Sequence, residues 1–190
     1  MNEVHLTGLI ADRLRKTAQP FVFRKKADGK IVDAKMTVSP FAVKTLEAFK
    51  SACPMTIIEP MDGDSRQMEY DDFATSVARV RIIVGLYYSE HDPVGDERYR
   101  RLGIDLADVG QYELMNVLIA YREALLMNRF LGDGEKEFYE LLIDREHPFV
   151  WDAVPNNINT APYAFGMILA YYKGTDPVQV AELDEGFFEM

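Results

Sequence analysis

The stretch DDFATSVARVRIIVGLYYS, residues 71–89, decides how the rest of the chain is read. Phe73, Val77, Val80, Val84 and Tyr87 step by four, three, four and three. That is the spacing of a helix with one apolar stripe. Arg79 and Arg81 fall off the stripe. The spacing predicts a long helix from about Asp71 to Ser89.

Downstream the same reading repeats. Asp92-Pro93 supplies a cap and a preset first turn. A short helix over 96–102 follows, broken by Gly103. Asp105 or Asp108 opens another long helix to about Phe130, with Leu114, Leu118, Tyr121 and Leu125 on its stripe. Gly132-Asp133-Gly134 is a stop and a restart. Glu135–Arg145 continues as helix through Phe138, Leu141 and Leu142 until His147-Pro148 ends it. Residues 148–159 read as irregular, with Trp151 turned inward. Thr160 caps a last long helix through Phe165, Ile168, Leu169 and Tyr172, which stops at Gly174, and Asp176-Pro177 begins a short one. Residues 86–94 (LYYSEHDPV) and 170–178 (AYYKGTDPV) echo one another. Recurrent Asp-Pro capping explains the match as well as a duplicated helical hairpin does.

Upstream, Leu6, Leu9, Ile10 and Leu14 predict a short amphipathic helix, with a strand near Val4–Leu6 as competitor. Residues 21–38 alternate apolar and polar on both sides of Asp28-Gly29, the pattern of a β-hairpin with a tight turn. Ser39-Pro40 reads as a helix start, with Val43, Leu46 and Phe49 apolar to about Ala52. Met55–Glu59 reads as a third strand and 61–69 as a polar loop. The fold expected is α+β and mainly α. An N-terminal β-hairpin, with room for three short strands, packs on an acidic bundle of about five to seven helices. One domain is expected: a basic part over 1–60, an acidic helical body over 61–182 and an acidic, aromatic tail over 183–190.

The net charge of −10 is unevenly spread. Residues 1–54 hold ten Lys/Arg and five Asp/Glu, a balance of +5; residues 55–190 hold eleven and twenty-six, a balance of −15. Such asymmetry bears on partners and steering rather than on fold. With a pI near 4.8 most of the surface repels phosphate, so nucleic acid is not the expected partner. No window approaches the length of a membrane span and no secretory leader opens the chain, so a cytoplasmic protein is expected, with no membrane partner. The lone Cys53 beside Pro54 cannot form an internal disulfide and reads as a small buried residue.

Few residues carry specific chemistry. Glu90-His91-Asp92 and Asp144, Glu146 and His147 each place an imidazole beside carboxylates at a predicted helix end. If those ends met, His91, His147, Glu90 and Glu146 would form a divalent-metal site. Helix ends also favour His through the macrodipole. Asp62-Gly63-Asp64 lacks the glycine a calcium loop needs at position six, where Gln67 stands. Gly132-Asp133-Gly134 lacks the Lys-Ser/Thr of a phosphate loop. No catalytic residue and no cofactor is expected. Arg24, Lys25, Lys26 and Lys30 cluster at the hairpin, with Arg13, Arg15 and Lys16 upstream and Phe21 and Phe23 interleaved. A solvated hairpin edge and a surface for an acidic protein both fit that cluster. The acids at 176, 182, 184, 185 and 189, with Phe187, Phe188 and Met190, form a complementary segment that would dock on the basic region, within the chain or on a second copy.

A basic β-hairpin followed by an acidic body and an apolar tail resembles, over about the first 130 residues, the layout of phage tail assembly chaperones. The resemblance implies a non-enzymatic assembly protein that holds aggregation-prone segments of a partner. The expected function is therefore protein–protein interaction or assembly through Arg24, Lys25, Lys26, Lys30, Phe187 and Phe188, with homo-oligomers allowed. The alternatives are a metal-dependent enzyme and a small acidic inhibitor of a nucleic-acid-binding target.

Overall fold

The computed structural model describes residues 3–41, 45–61, 75–88, 97, 99–104, 109–132, 138–154 and 162–175. Its elements run α1 (Glu3–Ala18), β1 (Phe23–Ala27), β2 (Lys30–Ala34), β3 (Thr37–Ser39), α2 (Leu46–Ala52), β4 (Met55–Met61), β5 (Thr75–Tyr87), α3 (Val109–Met127), β6 (Phe130–Gly132), β7 (Phe138–Leu142), β8 (Val150–Val154) and β9 (Tyr163–Thr175). Residues 99–101 add a helical turn.

The stretch that opened the sequence reading is a strand, not a helix, and the mainly α-helical expectation is overturned. Among the described residues nine strands form one curled sheet. It is antiparallel except where β3 runs parallel to β4. β5 and β9 pair along all thirteen residues of each, from Thr75↔Thr175 to Tyr87↔Tyr163. On the outer side of β5 lies β4, from Met61↔Arg79 to Met55↔Gly85. On the outer side of β9 lie β8 at one end and β7 at the other, and β7 carries β6. The predicted helices over 71–89, 135–145 and 160–174 are thus β5, β7 and β9, and the segment read as irregular holds β8.

Period two, masked by the three-and-four reading, explains the central pair. In β5 one face carries Ala78, Val80, Ile82, Val84 and Leu86, all buried. The facing set in β9 is Ala164, Gly166, Ile168, Ala170 and Tyr172. Five β-branched residues between Val77 and Val84 favour extended backbone, where their branched carbons are least crowded.

α1 and α3 close that face. Leu6, Ile10 and Leu14 of α1 and Leu114, Leu118, Tyr121 and Leu125 of α3 are fully buried in the same cluster as the β5 and β9 side chains. These helices lie where their apolar stripes predict. Removing such a side chain from water stabilises the fold by about 1.5–3 kcal/mol. The Tyr121 hydroxyl and Thr56 Oγ1 satisfy one another at 3.2 Å inside the layer. Gly166 lets α3 approach: a Cβ there would stand 2.7 Å from Leu118 Cδ1 and 3.2 Å from Leu114 Cδ1. Half-buried Trp151 packs on this core, turned inward as its sequence context predicts.

The opposite face is covered at one end by α2. Phe49 and Cys53 pack with Met55, Ile57, Tyr87 and Phe165. A Cβ at Gly85 would meet Phe49 Cζ at 2.8 Å and Cys53 Sγ at 2.9 Å. Thr45 caps α2, its Oγ1 accepting from the Ala48 amide at 3.1 Å. Ser39, the predicted cap, instead ends β3, and its hydroxyl oxygen accepts from the Phe41 amide. The hairpin forms about the predicted turn, with Asp28 and Gly29 both at positive φ, 49° and 75°, but it is shorter than the alternation over 21–38 predicts: its second strand ends at Ala34, and Val38 belongs to β3, paired with β4. No helix among the described residues is long and apolar enough to cross a membrane.

Candidate functional site

The basic residues of the N-terminal third divide into two groups. One group is structural. Arg13 Nη1 donates to the Asn128 carbonyl at 2.8 Å, tying α1 to the end of α3. Arg15 donates through Nε and Nη2 to the Val38 carbonyl, tying α1 to β3. Lys35 Nζ donates to the carbonyls of Gln19 and Phe21 at 2.8 and 3.2 Å. Lys50 pairs with Glu47 at 3.3 Å. Arg24 pairs with Asp33 across the hairpin.

The other group is Lys25, Lys26 and Lys30. Among the described residues none of the three makes a side-chain hydrogen bond or ion pair, although Lys25 is half-buried and its charge acts on the Cys53 thiol. β1 and β2 pair with one another over five positions, from Phe23↔Ala34 to Ala27↔Lys30. The rest of the sheet holds them by one position, Arg24↔Tyr87. From Gly85 back to Arg79 β4 occupies that side of β5, so the hairpin departs from the sheet beyond its pairing at Tyr87. β2 is an edge strand with no partner on its outer side among the described residues. Its first four residues are exposed, including Ile31 at 38% and Val32 at 41%. The register sets Lys26 opposite Ile31 and Lys25 opposite Val32. The hairpin thus combines positive charge, apolar contact area and unpaired backbone groups.

Ile31 and Val32 were missed as contact residues because alternation alone assigns one of the two faces to the core. The signal available was that a lysine stands opposite each across the turn. Phe23 is buried and stacks with Phe21 at 5.9 Å, so these aromatics belong to the core and its margin. Lys16 lies exposed on α1.

The metal hypothesis divides differently. His147 is anchored locally: its Nδ1 lies 3.0 Å and 3.1 Å from the two carboxylate oxygens of Asp144, and its ring meets the Tyr171 ring edge-on at 5.3 Å. The hydrogen bond from His147, with the amides of His147 and Glu146, holds the Asp144 carboxyl below its ordinary range. Glu146 is exposed. Glu90 and His91 lie outside the described residues, as do Phe187 and Phe188. Among the described residues no three His, Cys, Asp or Glu side chains gather as a metal site. Cys53 is buried, and desolvation pushes its thiol up to about 12, which leaves it a poor nucleophile at neutral pH.

A second surface was not anticipated. On the sheet face away from α1 and α3, the Arg79 guanidinium lies over the Tyr171 ring, 5.8 Å from its centroid, and its buried Nε has no hydrogen-bond partner among the described residues. Arg81 beside it is satisfied by Glu59, Nε to Oε1 at 2.6 Å. The helix reading set both arginines off the apolar stripe and so hid the pairing with β9. No protein family's sequence model matches this chain, and no curated protein matches it in sequence.

Proposed function

We propose that the protein is a non-enzymatic interaction or assembly protein that engages an acidic protein partner through the β1–β2 hairpin. One observation carries this reading: the hairpin is held to the sheet at a single residue pair and presents an exposed edge strand, with three lysines around Ile31 and Val32 whose side chains make no hydrogen bond or ion pair among the described residues. An edge of this kind can accept a further strand, with backbone hydrogen bonds supplying affinity and flanking charge supplying selection. Lysines on a strand edge also guard against indiscriminate pairing, which favours partners that bring carboxylates. The assembly role implied by the phage chaperone layout is of this kind, although the layout's acidic body is largely sheet.

The test is affinity purification from the native host with the wild-type chain and with K25E/K26E/K30E. The reading expects a specific partner to disappear from the reversed variant. An unchanged partner set would reject the hairpin as the binding surface. A polarisation titration with duplex DNA covers the competing class, where steep salt dependence would identify a nucleic-acid binder instead.

A further inference from the structure

Resting on the hairpin reading, we infer that the acidic partner binds as a further strand on the outer edge of β2. The backbone groups of Ile31 and Asp33 hold it, and its carboxylates lie at the turn end beside Lys30. The register fixes which backbone groups are offered. Ala27 and Lys30 flank the two-residue turn Asp28-Gly29, so they hydrogen-bond to one another. Hydrogen-bonded and non-hydrogen-bonded pairs alternate along an antiparallel ladder. Val32 and Ala34 therefore bond inwards, to Lys25 and Phe23, and the amides and carbonyls of Ile31 and Asp33 point away from β1. The far side of β1 obeys the same alternation. Arg24, opposite Asp33, turns its backbone groups away from β2 and is the residue that pairs with Tyr87 of β5. Tyr87 in turn faces the hairpin, because the next amide, that of Tyr88, donates to the Pro162 carbonyl on the β9 side at 2.9 Å.

The side chains add direction. Lys25, Lys30 and Val32 share one face of the hairpin, and Arg24, Lys26, Ile31 and Asp33 share the other. Asp33 pairs with Arg24, so the charge that no described side chain neutralises lies towards the turn, on Lys25, Lys26 and Lys30. A carboxylate set opposite Lys30 is attracted, whereas one set opposite Asp33 meets a like charge. Residues opposite Ile31 and Val32 cover exposed apolar side chains. For antiparallel addition, the more stable sense per residue, the occupant therefore reads neutral, apolar, apolar, acidic from its N-terminal end. A second copy of the hairpin is a poor occupant. It brings the same excess of positive charge, four Lys/Arg against Asp28 and Asp33 over residues 23–34. Lysines on the edge oppose that pairing and leave an acidic segment of another protein as the partner.

The test follows amide exchange residue by residue by NMR on the full-length chain, with the peptide acetyl-TTVVEE-amide as a millimolar probe. Without the peptide, the amides of Lys30, Val32 and Ala34 should exchange slowly and those of Ile31 and Asp33 fast. The peptide should protect Ile31 and Asp33, and acetyl-TTVVKK-amide should leave them open. Ile31→Pro removes an outward N–H that no hairpin bond uses, at the kind of edge position where proline is tolerated. It is expected to weaken the peptide by about tenfold or more, while Ile31→Thr, which keeps the amide, retains binding. If Ile31→Pro opens the hairpin, seen as fast exchange at Val32, the wild-type exchange data decide alone. A peptide that leaves Ile31 and Asp33 open, or a folded Ile31→Pro chain that binds like wild type, overturns the inference. Protection of both amides before any peptide is added also overturns it: insensitive to dilution, the chain covers its own edge; sensitive to dilution, a second copy does. If any of these occurs while K25E/K26E/K30E still loses its partner in the host purification, the hairpin reading stands and only the mode of binding is wrong.

Discussion

Gly166 and Cys53 show how single residues fix the two sides of the sheet. Gly166 sits under α3, and adding a methyl group drives Leu118 and Leu114 out of position. Gly166→Ala is expected to destabilise the fold by about 1–3 kcal/mol through overpacking, read as a lower urea midpoint at unchanged slope. Cys53 sits under α2 on the other side. Burial raises its thiol from 9.0 to about 12, and raises the Tyr121 hydroxyl from 10.0 to about 12. Both groups hold their protons more tightly when folded. The stability they contribute is intact below about pH 9 and is lost as pH climbs through 12. Urea midpoints should be flat from pH 7 to 9 and fall above that, with a shallower fall in Cys53→Ala. A midpoint that does not respond between pH 9 and 12 would show that neither group is buried as described.

At the scale of elements, legibility in the sequence followed how many faces each element buries. α1 and α3 bury one stripe and their positions were readable from it. The β1–β2 turn was readable because Asp28-Gly29 needs positive φ and the flanks alternate. β5 and β9 have apolar side chains on both faces, so a three-and-four spacing can be drawn through them as easily as a spacing of two. Their thirteen-residue length is well above the usual strand of about five or six. The five β-branched residues in 77–84 were the signal that should have prevailed in β5; β9, richer in Tyr, Ala and Met, had no comparable mark. The hairpin lysines were identifiable from sequence as a cluster. Which basic residues were already committed to α1 and β3 was not, because those partners are backbone carbonyls distant in the chain. Since Lys25, Lys26 and Lys30 make no side-chain hydrogen bond or ion pair among the described residues, K25E/K26E/K30E should shift unfolding free energy by no more than about 0.5 kcal/mol. A larger loss in a thermal melt would mean the hairpin charges are structural.

For the whole molecule, the arrangement separates stability from recognition. The β5–β9 pair with α1 and α3 holds the core, and the hairpin stands off it at one residue pair. Within the basic N-terminal third, Arg13 and Arg15 brace α1 while Lys25, Lys26 and Lys30 line the hairpin. Hydrogen–deuterium exchange followed by mass spectrometry, on the chain alone and when associated or partner-bound, tests this separation most directly. Residues 75–87 and 163–175 should be the slowest to exchange in both states, and binding should add protection over residues 23–34. Protection that appears elsewhere while 23–34 exchange as they do in the free chain would contradict the account.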